Sequence, residues 1–310
     1  MDMSLVKNYT EKLVAHCGKI ILGKEETIRQ VIVTFLAGGH VLLEDLPGTG
    51  KTMLLRAFAA GIGGAFRRIQ FTPDLMPSDL TGINFYNQKE SAFVFRKGPL
   101  FANVVLADEI NRATPRTQSA LLESMEEKQI TVDGETYPLD KPFMVMATQN
   151  PIESYGTFPL PEAQIDRFFM RLSMGYMERQ QEMQVLCRPA TGQLLTELTA
   201  VVDFEETARV QALCRQVRVA EDVLSYIMDL VEYTRNDTSL PAGVSTRGAL
   251  CLYQAAQITA AMEGRDYVLP EDVKKEVLAV LGHRLFTEMD AARKYVEKML
   301  EKVTVPLEKV

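Results

Sequence analysis

The segment LLEDLPGTGKT, residues 42–52, joins an apolar run to a stretch of helical composition through a glycine-containing loop. This order of strand, loop and helix is typical of phosphate-binding loops, in which backbone N–H groups at a helix N-terminus surround an anion. The two glycines let the backbone approach phosphate closely, Lys51 can reach the terminal phosphates, and the Thr52 hydroxyl can bind Mg²⁺. We therefore predict a nucleotide site made by seven consecutive residues: Pro47, Gly48, Thr49, Gly50, Lys51, Thr52 and Met53.

One position departs from the strict loop pattern G-x-x-x-x-G-K-[ST], because Asp45 stands where the first glycine is expected. The part of the loop that faces phosphate is residues 47–52, and position 45 lies at the exit of the preceding strand. A carboxylate close to a triphosphate weakens binding by charge repulsion unless it points away or meets a cation. We expect Asp45 to be tolerated; the alternative is a nucleotide switch that binds ATP but barely hydrolyses it.

The rest of the chain alternates between strand-like and helix-like patterns before it becomes wholly helical. Four further apolar runs follow the loop, at residues 66–71, 103–109, 143–150 and 167–174. Strands that alternate with helices predict a parallel sheet covered on both faces. From about residue 176 only helical patterns occur. We predict a five-stranded α/β domain over residues 1–175 and a smaller all-α domain over residues 176–310.

Two inserts interrupt this alternation. Residues 84–101 have the composition of short strands around polar residues. Residues 129–139 alternate between apolar and polar positions around Asp133-Gly134, which is typical of a type I′ hairpin turn. We therefore predict short strands within 84–101 and a hairpin at 129–139, both as inserts in the α/β alternation.

Two consecutive carboxylates, Asp108 and Glu109, close the apolar run NVVLADE. At the end of a strand beside the phosphate loop, Asp108 can orient Mg²⁺ opposite Thr52, and Glu109 can accept a proton from an attacking water. Asn150 ends the next apolar run, where its amide can hold that water. Behind a correctly placed phosphate loop, this set predicts catalysis by Glu109 and Asn150, and a metal site at Thr52 and Asp108.

The overall composition limits the class of partner. The 310 residues carry a net charge of −7, whereas nucleic-acid binders usually have a basic excess. The four cysteines are far apart, so we expect buried free thiols rather than a zinc site or a disulfide framework. The N-terminal segment lacks the apolar core of a secretory signal, and no run reaches about 18 apolar residues. We expect a cytoplasmic protein with no membrane segment and no nucleic-acid partner.

Five segments together resemble the MoxR branch of the AAA+ ATPases, namely residues 39–52, 70–82, 98–139, 143–168 and 245–256. The resemblance extends from about residue 20 to beyond residue 285, and it is most specific between Gly98 and Phe168. It implies an AAA+ core followed by a lid domain, and hydrolysis of ATP with Mg²⁺. It also implies that a residue other than glycine is tolerated at position 45.

The resemblance implies roles that the residues alone do not give. Arg167, in EAQIDRF, matches the arginine finger that reaches the γ-phosphate bound by a neighbouring subunit. The residues alone favour a surface arginine that pairs with Glu162 or Asp166. Arg247, in STRGAL, matches sensor 2, which would touch the phosphates of its own subunit, and Asn150 matches sensor 1. Gly23 falls where relatives line the adenine pocket, with a simple helix break as the alternative. Gln70 matches a position that restrains the catalytic glutamate in some relatives.

For the whole protein, the resemblance implies an ATP-driven chaperone that remodels a client as a homo-oligomeric ring, with a hexamer expected. It also implies a client or adaptor that carries a von Willebrand factor A domain. The inserts at 84–101 and 129–139 are expected to be the moving or client-facing parts. A DNA motor and the ATPase subunit of a magnesium-chelatase-like complex remain alternatives. Local positive charge for the DNA alternative could come from four residues: Lys89, Arg96, Lys97 and Lys128.

Overall fold

The computed structural model describes residues 2–45, 48–149, 156–187, 195 and 197–306. Its strands are β1 (Val41–Glu44), β2 (Phe66–Gln70), β3 (Gly82–Asn87), β4 (Ala92–Lys97), β5 (Val104–Asp108), β6 (Gln129–Val132), β7 (Glu135–Pro138), β8 (Met144–Gln149) and β9 (Met170–Leu172). Five of them form one parallel sheet in the spatial order β2-β5-β8-β1-β9, which confirms the predicted fold class.

The helices fall into a group around the sheet and a group after it. The first group is α1 (Ser4–Gly18), α2 (Glu25–Ala37), α3 (Lys51–Gly61), α4 (Pro77–Thr81), α5 (Pro115–Glu127) and α6 (Glu162–Ile165). The second group is α7 (Arg179–Leu186), α8 (Phe204–Cys214), α9 (Glu221–Arg235), α10 (Thr246–Met262), α11 (Pro270–Leu281) and α12 (Met289–Lys302). Within the described ranges, no helix is both long enough and apolar enough to cross a membrane.

The two faces of the sheet bury separate apolar clusters, because successive residues of a strand point to opposite faces. In β1, Val41 and Leu43 join the cluster that contains α1, α2 and α3, whereas Leu42 joins the cluster under α5. In β5, Val104 and Val105 divide between the two clusters in the same way. The near-continuous apolar runs in the sequence are therefore the pattern of a sheet covered on both faces.

The first apolar cluster continues from the N-terminal helices into the C-terminal ones. Residues of α8, α10 and α11 pack in the same cluster as α1 and α2. The Tyr9 hydroxyl forms a hydrogen bond of 2.9 Å with the Thr207 hydroxyl, across 198 positions of sequence. One core thus spans both sides of the domain boundary that the sequence predicts between residues 175 and 176. That boundary stays a prediction.

The hairpin predicted at 129–139 forms, the short strands predicted within 84–101 form a second hairpin, and the two hairpins touch each other. β3 pairs with β4 and β6 with β7, each antiparallel. The turn between β6 and β7 has positive φ at Asp133 (51°) and Gly134 (85°), as a type I′ turn requires. Phe95 stacks on Tyr137 with ring centroids 4.1 Å apart, and Asn84 donates to the Asp133 carboxylate at 2.8 Å. The two inserts are thus one joined projection from the sheet.

The cysteines follow the prediction only in part. Cys17 and Cys214 are buried, and burial raises the pKa of each thiol to about 12. Cys187 is exposed, so its predicted burial was wrong. It directly follows α7, a helix that buries none of its residues, and the sequence there gave no sign of that exposure.

Candidate functional site

The phosphate loop of the sequence lines a cavity of about 400 Å³ at the carboxyl ends of the strands. Helix α3 begins at Lys51, and Gly50 precedes it in the left-handed conformation, with φ 91°. Gly48 has φ 86°, which a residue with a side chain adopts only under strain. The cavity is lined by Asp45, Gly48, Gly50, Lys51, Thr52, Met53, Arg68, Asp108, Glu109, Thr148 and Gln149.

Most of the predicted loop residues therefore lie at this cavity. Pro47 and the predicted sensor residue Asn150 lie outside the described residues. Thr49 is described but does not line the cavity. Lys51 Nζ donates to the Asp45 carbonyl at 3.3 Å, which holds the ammonium group at the loop. The start of α3 adds a helix N-terminus, whose unpaired N–H groups favour an anion.

Asp45 is buried, and its carboxylate is used within the protein. It accepts hydrogen bonds from the Ser173 hydroxyl (2.9 Å) and from the backbone N–H groups of Met174 and Gly175. These three residues directly follow β9. A carboxylate with three donors is compensated, so it adds much less repulsion toward phosphate than a free one. Asp45, the residue that departs from the loop pattern, therefore joins the loop to the chain segment that follows β9.

The predicted metal ligand Asp108 is held by two residues that the sequence interpretation missed. Its Oδ1 accepts from the buried Thr148 hydroxyl at 2.7 Å, and its Oδ2 accepts from Arg68 at 2.6 Å. Thr148 also accepts from the Glu109 backbone N–H at 2.8 Å, so one hydroxyl contacts the Asp108 carboxylate and the Glu109 main chain. Together with Thr52, Asp108 offers the oxygen ligands that Mg²⁺ prefers, and the site fits that ion.

Glu109, the predicted base, sits at a bend in the chain. Its φ of 58° is the left-handed conformation, which is uncommon outside glycine and clusters at functional sites. Its carboxylate accepts from Gln70 Nε2 at 2.7 Å and from Arg112 Nη1 at 2.9 Å. Because both donors lie on the same Oε2 atom, they hold the carboxylate in one orientation. The contact between Gln70 and Glu109 is the one that the family resemblance suggested.

An apolar wall adjoins the loop on the side of the N-terminal helices. A Cβ placed on Gly50 would lie 3.4 Å from the Ile21 side chain and 4.0 Å from that of Met174. Gly23 has φ 66° and does not line the cavity; a Cβ there would collide with the Gln181 side chain of α7. Gly23 thus lets α7 approach closely, and the apolar groups nearest the loop are Ile21 and Met174.

The two predicted arginines share one partner away from the phosphate cavity. Arg247 Nη2 donates to Glu126 Oε1 at 2.5 Å, and Arg167 Nε lies 3.3 Å from Glu126 Oε2. Both arginines line a separate depression of about 250 Å³. Arg247 does not line the phosphate cavity in this structure, and its contact with the phosphates of its own subunit stays a prediction. Ser245 and Arg284 both bind Asp166, which holds the start of α10 beside Arg167.

Comparisons with known proteins agree with an α/β nucleotide-binding domain that is followed by helices. The model described as "ATPase family associated with various cellular activities (AAA)" matches residues 40–170, and the model described as "AAA lid domain" matches residues 232–303. A relative from Bacillus subtilis, the uncharacterized protein YeaC, is 45% identical over 96% of this chain and 95% of its own length. The chaperone MoxR1 of Mycobacterium tuberculosis is 39% identical over 91% of this chain and 76% of its own length.

Two further relatives extend the similarity. The protein MoxR of Methylorubrum extorquens is 32% identical over 87% of this chain and 85% of its own length. A crystal structure from Cytophaga hutchinsonii, of a protein with a provisional ATPase assignment, matches with a TM-score of 0.91 at 38% identity. That match covers 98% of this chain and 97% of the other.

Proposed function

Because the chain belongs to the MoxR family of AAA+ ATPases, we propose that it hydrolyses ATP to ADP and phosphate at the cavity of the phosphate loop. The observation that carries the proposal is that Lys51, Thr52, Asp108 and Glu109 line one cavity, although they come from separate segments. This cavity combines a cation for phosphate, oxygen ligands for a metal and a carboxylate for water, which are the parts that phosphoryl transfer needs.

We assign the metal position to Thr52 and Asp108. When bound, Mg²⁺ would neutralise charge on the phosphates. Thr148 keeps the Asp108 carboxylate turned toward the cavity through the bond to Oδ1. Lys51, at the start of α3, would contact the terminal phosphates and add the positive charge that the transition state needs.

Glu109 would take the proton from the attacking water. In the structure its Oε2 is engaged by Gln70 and Arg112. An oxygen that already accepts two hydrogen bonds has less capacity to accept one from the attacking water. Basal hydrolysis is therefore expected to be slow until Gln70 releases the carboxylate.

Arg167 and Arg247 would complete the cavity of a neighbouring subunit. Both lie at the Glu126 depression, which shares no lining residue with the phosphate cavity in the described parts of the chain. If these arginines act in hydrolysis, as the family resemblance implies, the site that each would reach is that of another copy. We therefore propose a homo-oligomeric ring, with six subunits as the expected number for this fold family.

We propose protein remodelling as the use of this ATPase, with the joined hairpins as the client-facing part. Three aromatic side chains of β3 and β4 are exposed, Phe85 by 41%, Tyr86 by 53% and Phe93 by 75%. Exposed aromatic groups of this kind are common in protein-binding surfaces. A client or adaptor with a von Willebrand factor A domain, and a cytoplasmic location, stay predictions from the family.

The structure weakens the alternative of a DNA motor. Lys128, one of the four predicted basic residues of the inserts, donates to the Gly38 carbonyl at 3.1 Å, and burial lowers its pKa. Lys97 lies over the Phe101 ring, 5.0 Å from its centroid. Two of the four cations are therefore engaged in contacts within the protein.

The test is steady-state ATP hydrolysis per subunit, with Mg²⁺, over a range of protein concentrations. We expect the rate per subunit to rise with concentration if sites are completed between subunits. Lys51→Ala should abolish nucleotide binding, whereas Glu109→Gln should retain binding and lose turnover by roughly 100-fold or more. Lys7→Ala, on the exposed face of α1, is the matched control. Tight ATP binding by Lys51→Ala would overturn the site assignment.

A further inference from the structure

Arg68 lines the phosphate cavity, where it holds Asp108. It lies on β2, two residues before Gln70, so both side chains point to the same face of the strand. Its guanidinium donates to Asp108 Oδ2 from Nε (3.1 Å) and from Nη2 (2.6 Å). Nη2 also donates to Gln70 Oε1 at 2.8 Å. Arg68 therefore contacts both the metal ligand and the residue that restrains the base.

These contacts can be exchanged at little cost. The Arg68 side chain is 49% exposed, and a half-exposed ion pair contributes little to stability. Its Nη1 group has no hydrogen-bond partner among the described residues. A guanidinium matches phosphate oxygens through parallel N–H groups, and its contact with phosphate is stronger than one with a neutral group. A terminal phosphate in the same cavity competes well for Arg68.

A metal at Asp108 acts in the same direction. Thr148 already binds Asp108 Oδ1, so a metal would bind Oδ2. Oδ2 is the oxygen that accepts the hydrogen bonds from Arg68. Two cations at one carboxylate oxygen repel each other. The metal would weaken the contact between Arg68 and Asp108 with either nucleotide, whereas only a triphosphate adds a third phosphate that attracts Arg68 away from Asp108 and Gln70.

We propose that Arg68 is the residue by which this site distinguishes ATP from ADP: it rests on Asp108 and Gln70, and it moves to the terminal phosphate when a triphosphate binds. The inference rests on the proposed function, because it takes the cavity to be a nucleotide site. The movement of Arg68 also weakens the restraint on Glu109. Gln70 loses the partner of its Oε1 atom, so its hold on the base loosens when the substrate, and not the product, is present.

The experiment measures nucleotide binding rather than turnover. A fluorescent ADP derivative is displaced by ADP or by the non-hydrolysable β,γ-imido analogue of ATP, each with Mg²⁺, and the ratio of the two dissociation constants is compared. Arg68→Ala should weaken binding of the ATP analogue by roughly 10- to 100-fold, which is typical for loss of a charged hydrogen bond. Binding of ADP should change by less than about twofold.

The matched control is Arg67→Ala. Arg67 is exposed on the same strand, points to the opposite face and does not line the cavity. It should alter neither constant. Arg68→Lys keeps the charge without the paired N–H groups and should fall between wild type and Arg68→Ala. A thermal melt verifies folding, and Arg68→Gln replaces Arg68→Ala if that variant does not fold.

The outcomes separate this inference from the proposed function. Equal weakening of both nucleotides, or no weakening of either, would overturn the role of Arg68 while leaving the ATP site intact. Weakening by Arg67→Ala to the same degree would show a general charge effect and would also overturn it. A wild-type protein that binds neither nucleotide would instead refute the proposed function.

Discussion

Glu276 is a buried carboxyl group between α10 and α11, and its replacement by glutamine tests how the lid tolerates charge. The residue is 1% exposed. Its Oε1 accepts from the Thr259 hydroxyl at 3.0 Å, and its Oε2 has no partner in the described part of the chain. Burial raises the pKa of Glu276 from 4.5 to about 7; Glu26 and Asp272 add to the increase, and Lys275 opposes it.

The sign of the pH dependence follows from that raised pKa. Between about pH 4.5 and pH 7, folded Glu276 keeps a proton that the unfolded chain has released. The free energy of unfolding therefore falls as the pH rises through this window. Above it, the charged form in the fold lowers the free energy of unfolding by about 3 kcal/mol, given 1.36 kcal/mol for each pKa unit.

Glu276→Gln should remove this pH-dependent loss. The amide oxygen can keep the hydrogen bond from Thr259, and the side chain stays neutral at every pH. We expect the variant to unfold at higher urea than wild type near pH 8, with an advantage of up to about 3 kcal/mol. Near pH 5 the advantage should shrink to less than about 1 kcal/mol, because folded wild-type Glu276 is then protonated and this pH lies only slightly above the pKa of 4.5 in the unfolded chain.

The assay is urea denaturation followed by circular dichroism, repeated from about pH 5 to about pH 8. Glu297→Gln is the matched control, since Glu297 is an exposed glutamate of α12. The control should differ from wild type by less than about 0.5 kcal/mol throughout. A stability difference for Glu276→Gln that is constant with pH, or that grows as the pH falls, would refute the reasoning.

Two further predictions concern catalysis. Gln70→Ala should raise basal ATP hydrolysis by roughly 2- to 10-fold, because Glu109 then keeps only Arg112 as a restraint; an unchanged basal rate would count against that restraint. Arg167→Ala should lower hydrolysis by roughly 10³-fold. Mixing it with Lys51→Ala should restore activity, since the second variant supplies an intact Arg167 to a neighbour's working site. Failure of the mixture to regain activity would leave the action between subunits unsupported.

The elements that could be predicted are those encoded by short patterns. The loop glycines, the apolar strands and the Asp133-Gly134 turn each depend on residues within a few positions of one another. The clustering of Lys51, Asp108 and Glu109 follows as well, because the ends of parallel strands meet at one edge of the sheet. These parts need no knowledge of how distant helices pack.

The parts that could not be predicted depend on contacts between distant segments. Arg68 lies 40 positions from Asp108, and Thr148 lies 40 positions from it on the other side. The sequence around Arg247 does not show that its guanidinium pairs with Glu126, because that contact depends on how α10 packs. Asp166, which binds both Ser245 and Arg284, contributes to that packing.

Asp45 departs from the loop pattern of the sequence, and only the fold shows what its side chain does. The pattern of the loop marks it as an acid in a glycine position, and charge alone would predict weaker binding of phosphate. In the structure its carboxylate binds the backbone after β9, while its carbonyl accepts from Lys51. One residue therefore joins the phosphate-binding lysine to the segment that leads into the lid.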